Sequence, residues 1–119
     1  MSNKWQEKLD PNEVLDFEVD FAAADDPVLD EGEEIVDFEV AVTAQAALYG
    51  LTIKEDGAYA PSINAENTLI KVWLTIDEAS REDPVFLKGI QLGVQFTITT
   101  SSNPARTRQR TFYVTVRQL

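Results

Sequence analysis

The densest group of side chains able to do chemistry is acidic. The stretch Asp25 to Glu34 (DDPVLDEGEE) has the oxygen ligands that Ca²⁺ takes in numbers. It lacks the alternate-position acids and closing Glu of an EF-hand loop. The plainer expectation is a solvated loop, because charge runs usually lie in water. Asp16, Glu18, Asp20, Asp37 and Glu39 form a second acidic group. Paired carboxylates can hydrolyse glycosidic bonds when about 5–9 Å apart. Here, however, they follow a strict every-second-residue alternation that any half-buried strand requires.

The cationic candidates lie late in the chain. Arg106, Arg108 and Arg110 could recognise phosphate or a carboxylate-rich protein surface through their planar guanidinium groups. Their alternative role is to pair with acids of the same chain, and the two roles are compatible. Trp5 stands in a polar leader and Pro11 in a turn-like Asp-Pro-Asn; both are candidate contacts with a protein partner. Trp5 could equally cap one end of the domain. Trp73 sits on the polar side of an apolar run.

Other chemistry lacks its residues. The sequence has no His and no Cys. That removes the commonest general base, the commonest metal ligand and any thiol nucleophile. Ser62, Ser80, Ser101 and Ser102 have no imidazole to activate them. The glycines are scattered, without a phosphate-binding loop. No catalytic residues, no metal site and no cofactor are therefore assigned, and a non-enzymatic protein is expected. The net charge of −11 opposes nucleic-acid binding and attraction to anionic membranes. It favours a basic protein partner. The N-terminus has no apolar core of a secretory signal, and no run approaches the length of a membrane span.

The elements that must carry these residues are strands. Val14 to Phe21 alternates, with Leu15, Phe17, Val19 and Phe21 on one face. In Ile35 to Val42 the shared face is Val36, Phe38, Val40 and Val42. A short strand is expected at Gly50 to Lys54. Thr68 to Ile76 reads as a central strand, with Ile70, Val72, Leu74 and Ile76 inward. Ile90 to Thr100 and Arg108 to Val116 form a hairpin across Ser101 to Ala105. Ala44 to Leu48 has the composition of one helical turn.

The 119 residues suit one domain. The expected fold is all-β, an immunoglobulin-like antiparallel β-sandwich of about 6–8 strands spanning 14–119, after an N-terminal arm at 1–13. An open barrel is the alternative. Acids on the first two long strands would repel if those strands were neighbours, which points to separate sheets or to a basic partner strand such as the one bearing Arg108 and Arg110. Residues 1–60 hold sixteen acids against three lysines; residues 61–119 hold five acids against seven bases. An acidic end and a basic end are expected, suited to head-to-tail contacts between copies.

The segment Asp10 to Phe21 (DPNEVLDFEVDF) resembles the opening of small tailed-bacteriophage proteins. These have a Trp-containing leader and then a DPDEVLDY…DW stretch. Here Asn12 replaces an acid, and Phe17 and Phe21 stand for Tyr and Trp. Val72 to Leu74 and the closing hairpin extend the resemblance to between half and two-thirds of the chain. The acidic insert and the stretch from Gly57 to Asn67 are longer than in those proteins. The resemblance implies a virion component with an Ig-like fold, a fibre–tail or neck-region adaptor. Its partners would be other virion proteins and copies of itself, with assembly in the host cytoplasm. The alternatives are a capsid decoration or tail accessory protein, and a Ca²⁺-dependent carbohydrate-binding module using Trp5, Trp73 or Tyr49.

Overall fold

A computed structural model describes residues 3–23 and 27–119. Eight strands and two short helices follow one another among them. They are β1 (Lys4–Leu9), β2 (Leu15–Asp20), β3 (Ile35–Val42), α1 (Ala44–Leu48), β4 (Leu51–Ile53), β5 (Ser62–Ile63), β6 (Leu69–Ile76), α2 (Val85–Lys88), β7 (Ile90–Thr100) and β8 (Thr107–Val116).

The strands form two sheets, ordered β1-β8-β7-β3 and β2-β6-β4. The short β5 pairs with β6 at Lys71 and Ile70, beyond the stretch that β4 uses. The fold is an all-β sandwich. β3, β7 and β8 share one sheet, and β2, β6 and β4 the other. This matches the C-F-G and B-E-D division of immunoglobulin sandwiches. The two acid-bearing strands β2 and β3 lie in different sheets, so their acids are not cross-strand neighbours.

Alternation builds the core. Ile70, Val72, Leu74 and Ile76 of β6 are fully buried, as are Leu92, Val94, Phe96 and Ile98 of β7. Each such side chain contributes about 1.5–3 kcal/mol of burial. The central strand and the hairpin thus form where the period-two pattern places them.

Three features differ from the sequence-based expectation. Within the expected arm at 1–13, the described residues are part of the sandwich: Lys4–Leu9 is an edge strand running parallel to β8. Its polar composition reflects that edge position, where only Trp5 and Leu9 reach inward. Second, Val36 does not share the core face of β3. A register shift between Ile35 and Asp37 turns Ile35 inward and leaves Val36 62% exposed. Such a bulge re-aims side chains and blunts an edge against pairing with other chains. Third, the acidic β2–β3 loop and the arginine-bearing β7–β8 turn do not lie at opposite ends. The β2–β3 loop and the β7–β8 turn leave the sandwich at the same end, joined by hydrogen bonds of 2.8 and 2.9 Å between Ser101 and Glu34.

The opposite end holds α1, which has the Ala-rich composition of a single helical turn. Thr43 caps it by accepting from the Ala46 N–H, and Ala46 is buried. Gly50 ends it at φ +86°, against Ser80. Among the described residues, no helix is long and apolar enough to cross a membrane.

Candidate functional site

Trp5 is held from both sheets. Its ring centroid lies 5.1 Å from that of Phe17 on β2 and 5.6 Å from that of Phe112 on β8. Its Nε1–H donates to the Glu18 carbonyl oxygen at 2.8 Å. The indole closes the open flank between β1 and β2. Pro11 is also buried, in the turn that joins those strands. There the Glu13 N–H donates to the Asp10 carbonyl, while the Glu13 carboxylate accepts from the Asp10 N–H, each at 2.9 Å. Both residues therefore have structural roles within the chain.

Arg106 is the centre of an ionic clamp. Its Nε donates to Glu33 Oε2 at 3.2 Å, and its Nη2 donates to the second oxygen, making the pair bidentate. The same Nη2 lies 3.3 Å from Asp30 Oδ2. Such forked geometry is the strong form of the Arg–carboxylate bond. The Glu33 side chain is only 5% exposed. The Arg106 guanidinium, then the Asp30 N–H, then the Thr100 hydroxyl hold its carboxyl far below the usual carboxylate range. Glu33 in turn raises the Arg106 pKa. Arg108 donates to the Val28 carbonyl at 3.2 Å, and Arg110 to the carbonyl of its neighbour Gln109 at 2.8 Å. The three arginines therefore do not converge on one anion site. Arg106 and Arg108 fasten the acidic loop to the hairpin.

That clamp occupies carboxylates that a cation would need. Asp25 and Asp26 lie outside the described residues. Among the described residues no cluster of three or more carboxylates is placed to hold a metal ion. Ala22, Leu29, Glu31, Glu34 and Glu66 help line a shallow groove of about 680 Å³ at this end. Glu34 accepts from the Asn67 side chain at 3.0 Å. Glu18 of the second acidic group lies 3.8 Å from Lys71, its cross-strand neighbour.

Trp73 lies on the outer face of the smaller sheet. Tyr59, from a 3₁₀ turn at Gly57–Tyr59, meets it edge-on at 5.3 Å. Lys54 Nζ lies 5.1 Å from the Tyr59 ring centroid. Trp73 is thus half-buried by its own chain and does not present an open stacking platform. Tyr49 is the C-cap of α1 and also half-buried.

Two features escaped the sequence reading. The Asp30–Glu33 turn repeats two hydrogen bonds of the Asp10–Glu13 turn: the Glu33 N–H donates to the Asp30 carbonyl, and the Asp30 N–H to Glu33 Oε1, each at 2.9 Å. The sequence signal was an Asp followed three residues later by Glu, just before a strand containing Asp-Phe-Glu-Val. The second is the outer face of the larger sheet, where charge is absent from the two central strands.

No protein-family model matches this chain, and no curated protein sequence matches it.

Proposed function

We propose that this chain is a non-enzymatic structural adaptor of a tailed-bacteriophage particle, joining tail or neck to fibres or neighbouring tail components. It works as a protein-binding module present in several copies. The observation that carries the reading is the segment Asp10 to Phe21, with its resemblance to the opening of such virion proteins. The architecture supports it. Trp5, Pro11 and the D-x-x-E turn weld this segment into a rigid sandwich, as an adaptor under load requires. Asp30 and Glu33 of the acidic loop are engaged in the Arg106 clamp, which fixes that loop to the hairpin. The acidic groove at the loop end suits a basic partner surface.

An antibody against the chain, applied to purified particles, tests the reading by immunogold electron microscopy and quantitative mass spectrometry. The expected result is label at the tail or neck and about six or twelve copies per particle. Hundreds of copies would make it a decoration protein instead. Absence from mature particles removes the proposal.

A further inference from the structure

The larger sheet has one face on the core and one away from it. On the outer side, alternation places the odd-numbered residues from Gln91 to Thr99 and from Thr107 to Thr115. These are glutamines and threonines, with one glycine and one tyrosine, and none is charged. Cross-strand pairs such as Gln95 with Thr111 and Thr97 with Gln109 set them side by side. Charged residues make up 26% of this sequence, so a neutral strip two strands wide is a local departure from its composition. Depletion of charge marks the centre of protein interfaces.

Charge returns at two opposite corners. The edge strand β1 brings Lys4 and Lys8 beside Tyr113 and Thr115. The edge strand β3 brings Asp37 and Glu39 beside Thr99 and Thr97. Because β7 and β8 are antiparallel, Tyr113 and Thr115 lie at the α1 end of the face and Thr97 and Thr99 at the loop end. The lysines and the acids therefore occupy diagonal corners. Among the described residues, the ion pairs of this chain involve none of these four.

We infer that this face binds the same face of a second copy of the chain. A two-fold axis in the plane of the face, perpendicular to the charged diagonal, lays the Lys4–Lys8 corner of each copy over the Asp37–Glu39 corner of the other. An isologous contact needs this self-complementarity. Four strands about 4.8 Å apart and about 3.4 Å of rise per residue give each copy a face on the order of 600 Å². The pair then buries about 1,200 Å², the lower limit of specific interfaces. Tyr113, 40% exposed, provides an aromatic anchor in the strip. It lies against Gly93, where an added Cβ would come within 3.2 Å of the ring. The inference rests on the multi-copy part of the proposed function but not on the particle to which the chain belongs.

Sedimentation equilibrium of the purified full chain tests it at about 0.15 M salt, where the Debye length is about 8 Å. The expected result is a reversible monomer–dimer equilibrium. Lys4→Glu with Lys8→Glu should weaken it on the order of tenfold or more, and so should Asp37→Lys with Glu39→Lys. All four substitutions together keep the net charge and restore the diagonal, so dimerisation should return. Tyr113→Ala should weaken it further, and Thr97→Arg, placing a charge in the strip, should abolish it. Thermal unfolding confirms that each variant is folded. A chain that stays monomeric at millimolar concentration overturns the inference, as does a dimer indifferent to these substitutions. A monomer found in virions would overturn this face alone; a dimer absent from virions would overturn the adaptor reading alone.

Discussion

The Trp5 indole donates to the Glu18 carbonyl oxygen at 2.8 Å, bridging the first strand of one sheet and the first strand of the other. This bond and the ring contacts with Phe17 and Phe112 make the polar N-terminal segment part of the fold. Trp5→Ala should lower stability by about 3 kcal/mol, the cost of removing a large packed ring. Trp5→Phe keeps part of the packing and loses the N–H donor, at a cost of about 1 kcal/mol from that bond. Chemical denaturation followed by circular dichroism measures both. An unchanged unfolding midpoint for Trp5→Ala would mean that β1 is dispensable.

Acid should weaken the Glu33–Arg106 clamp. The folded state holds Glu33 far below its ordinary value of 4.5, chiefly through Arg106. The unfolded chain therefore takes up this proton at a higher pH than the folded chain does. The stabilisation is fully present above the ordinary value and declines as pH falls below it toward the depressed one. Asp10 acts in the same direction, its carboxyl lowered by the Leu119 and Asn12 N–H groups. Glu33→Gln should be less stable than the parent at pH 7. The gap should narrow steadily from about pH 4.5 downward. Urea unfolding at pH 7, 5 and 3 reads this trend, and a gap that widened on acidification would contradict it.

Gly50 is required twice over. Its φ of +86° is a left-handed conformation, and a Cβ there would lie 2.6 Å from Ser80 Cβ. Gly50→Ala should cost about 1–2 kcal/mol for the backbone alone, plus the clash. Adding Ser80→Gly removes the clash and leaves the backbone cost. Thermal unfolding of the single and double variants should show this partial recovery. Full recovery would mean that the conformation carries no cost.

Much of the fold was legible because burial on one face leaves a period-two imprint. Ile70, Val72, Leu74 and Ile76 alternate with Lys71, Trp73 and Thr75, and all four are fully buried. The first strand left no such imprint. An edge strand with a broken register buries only Trp5 and Leu9, too few for alternation to register. Val36 misled because a bulge shifts the phase by one residue, and no side-chain pattern announces it. The arginines were visible as a cluster, but their partners were not. Arg106 meets Glu33 across 73 positions of sequence, and only the shared end of the two loops brings them together. The neutral face of the larger sheet emerges only once β7 and β8 are set in register.

The twin turns allow the clamp to be isolated. Asp10–Glu13 and Asp30–Glu33 share the same two hydrogen bonds, yet only the second glutamate also holds an arginine. Glu13→Ala should cost about 1 kcal/mol, the worth of one side-chain hydrogen bond. Glu33→Ala should cost more, since it also leaves the Arg106 guanidinium without its bidentate partner. The excess belongs to the pair only if the two residues are coupled, and a double-mutant cycle decides that. Arg106→Ala should have its full effect in the Glu13→Ala background and little in the Glu33→Ala background, where the partner is already gone. Some effect remains through Asp30, 3.3 Å from the same nitrogen. Equal effects in both backgrounds would show that Arg106 and Glu33 act independently, and the clamp would then not be what ties the acidic loop to the hairpin.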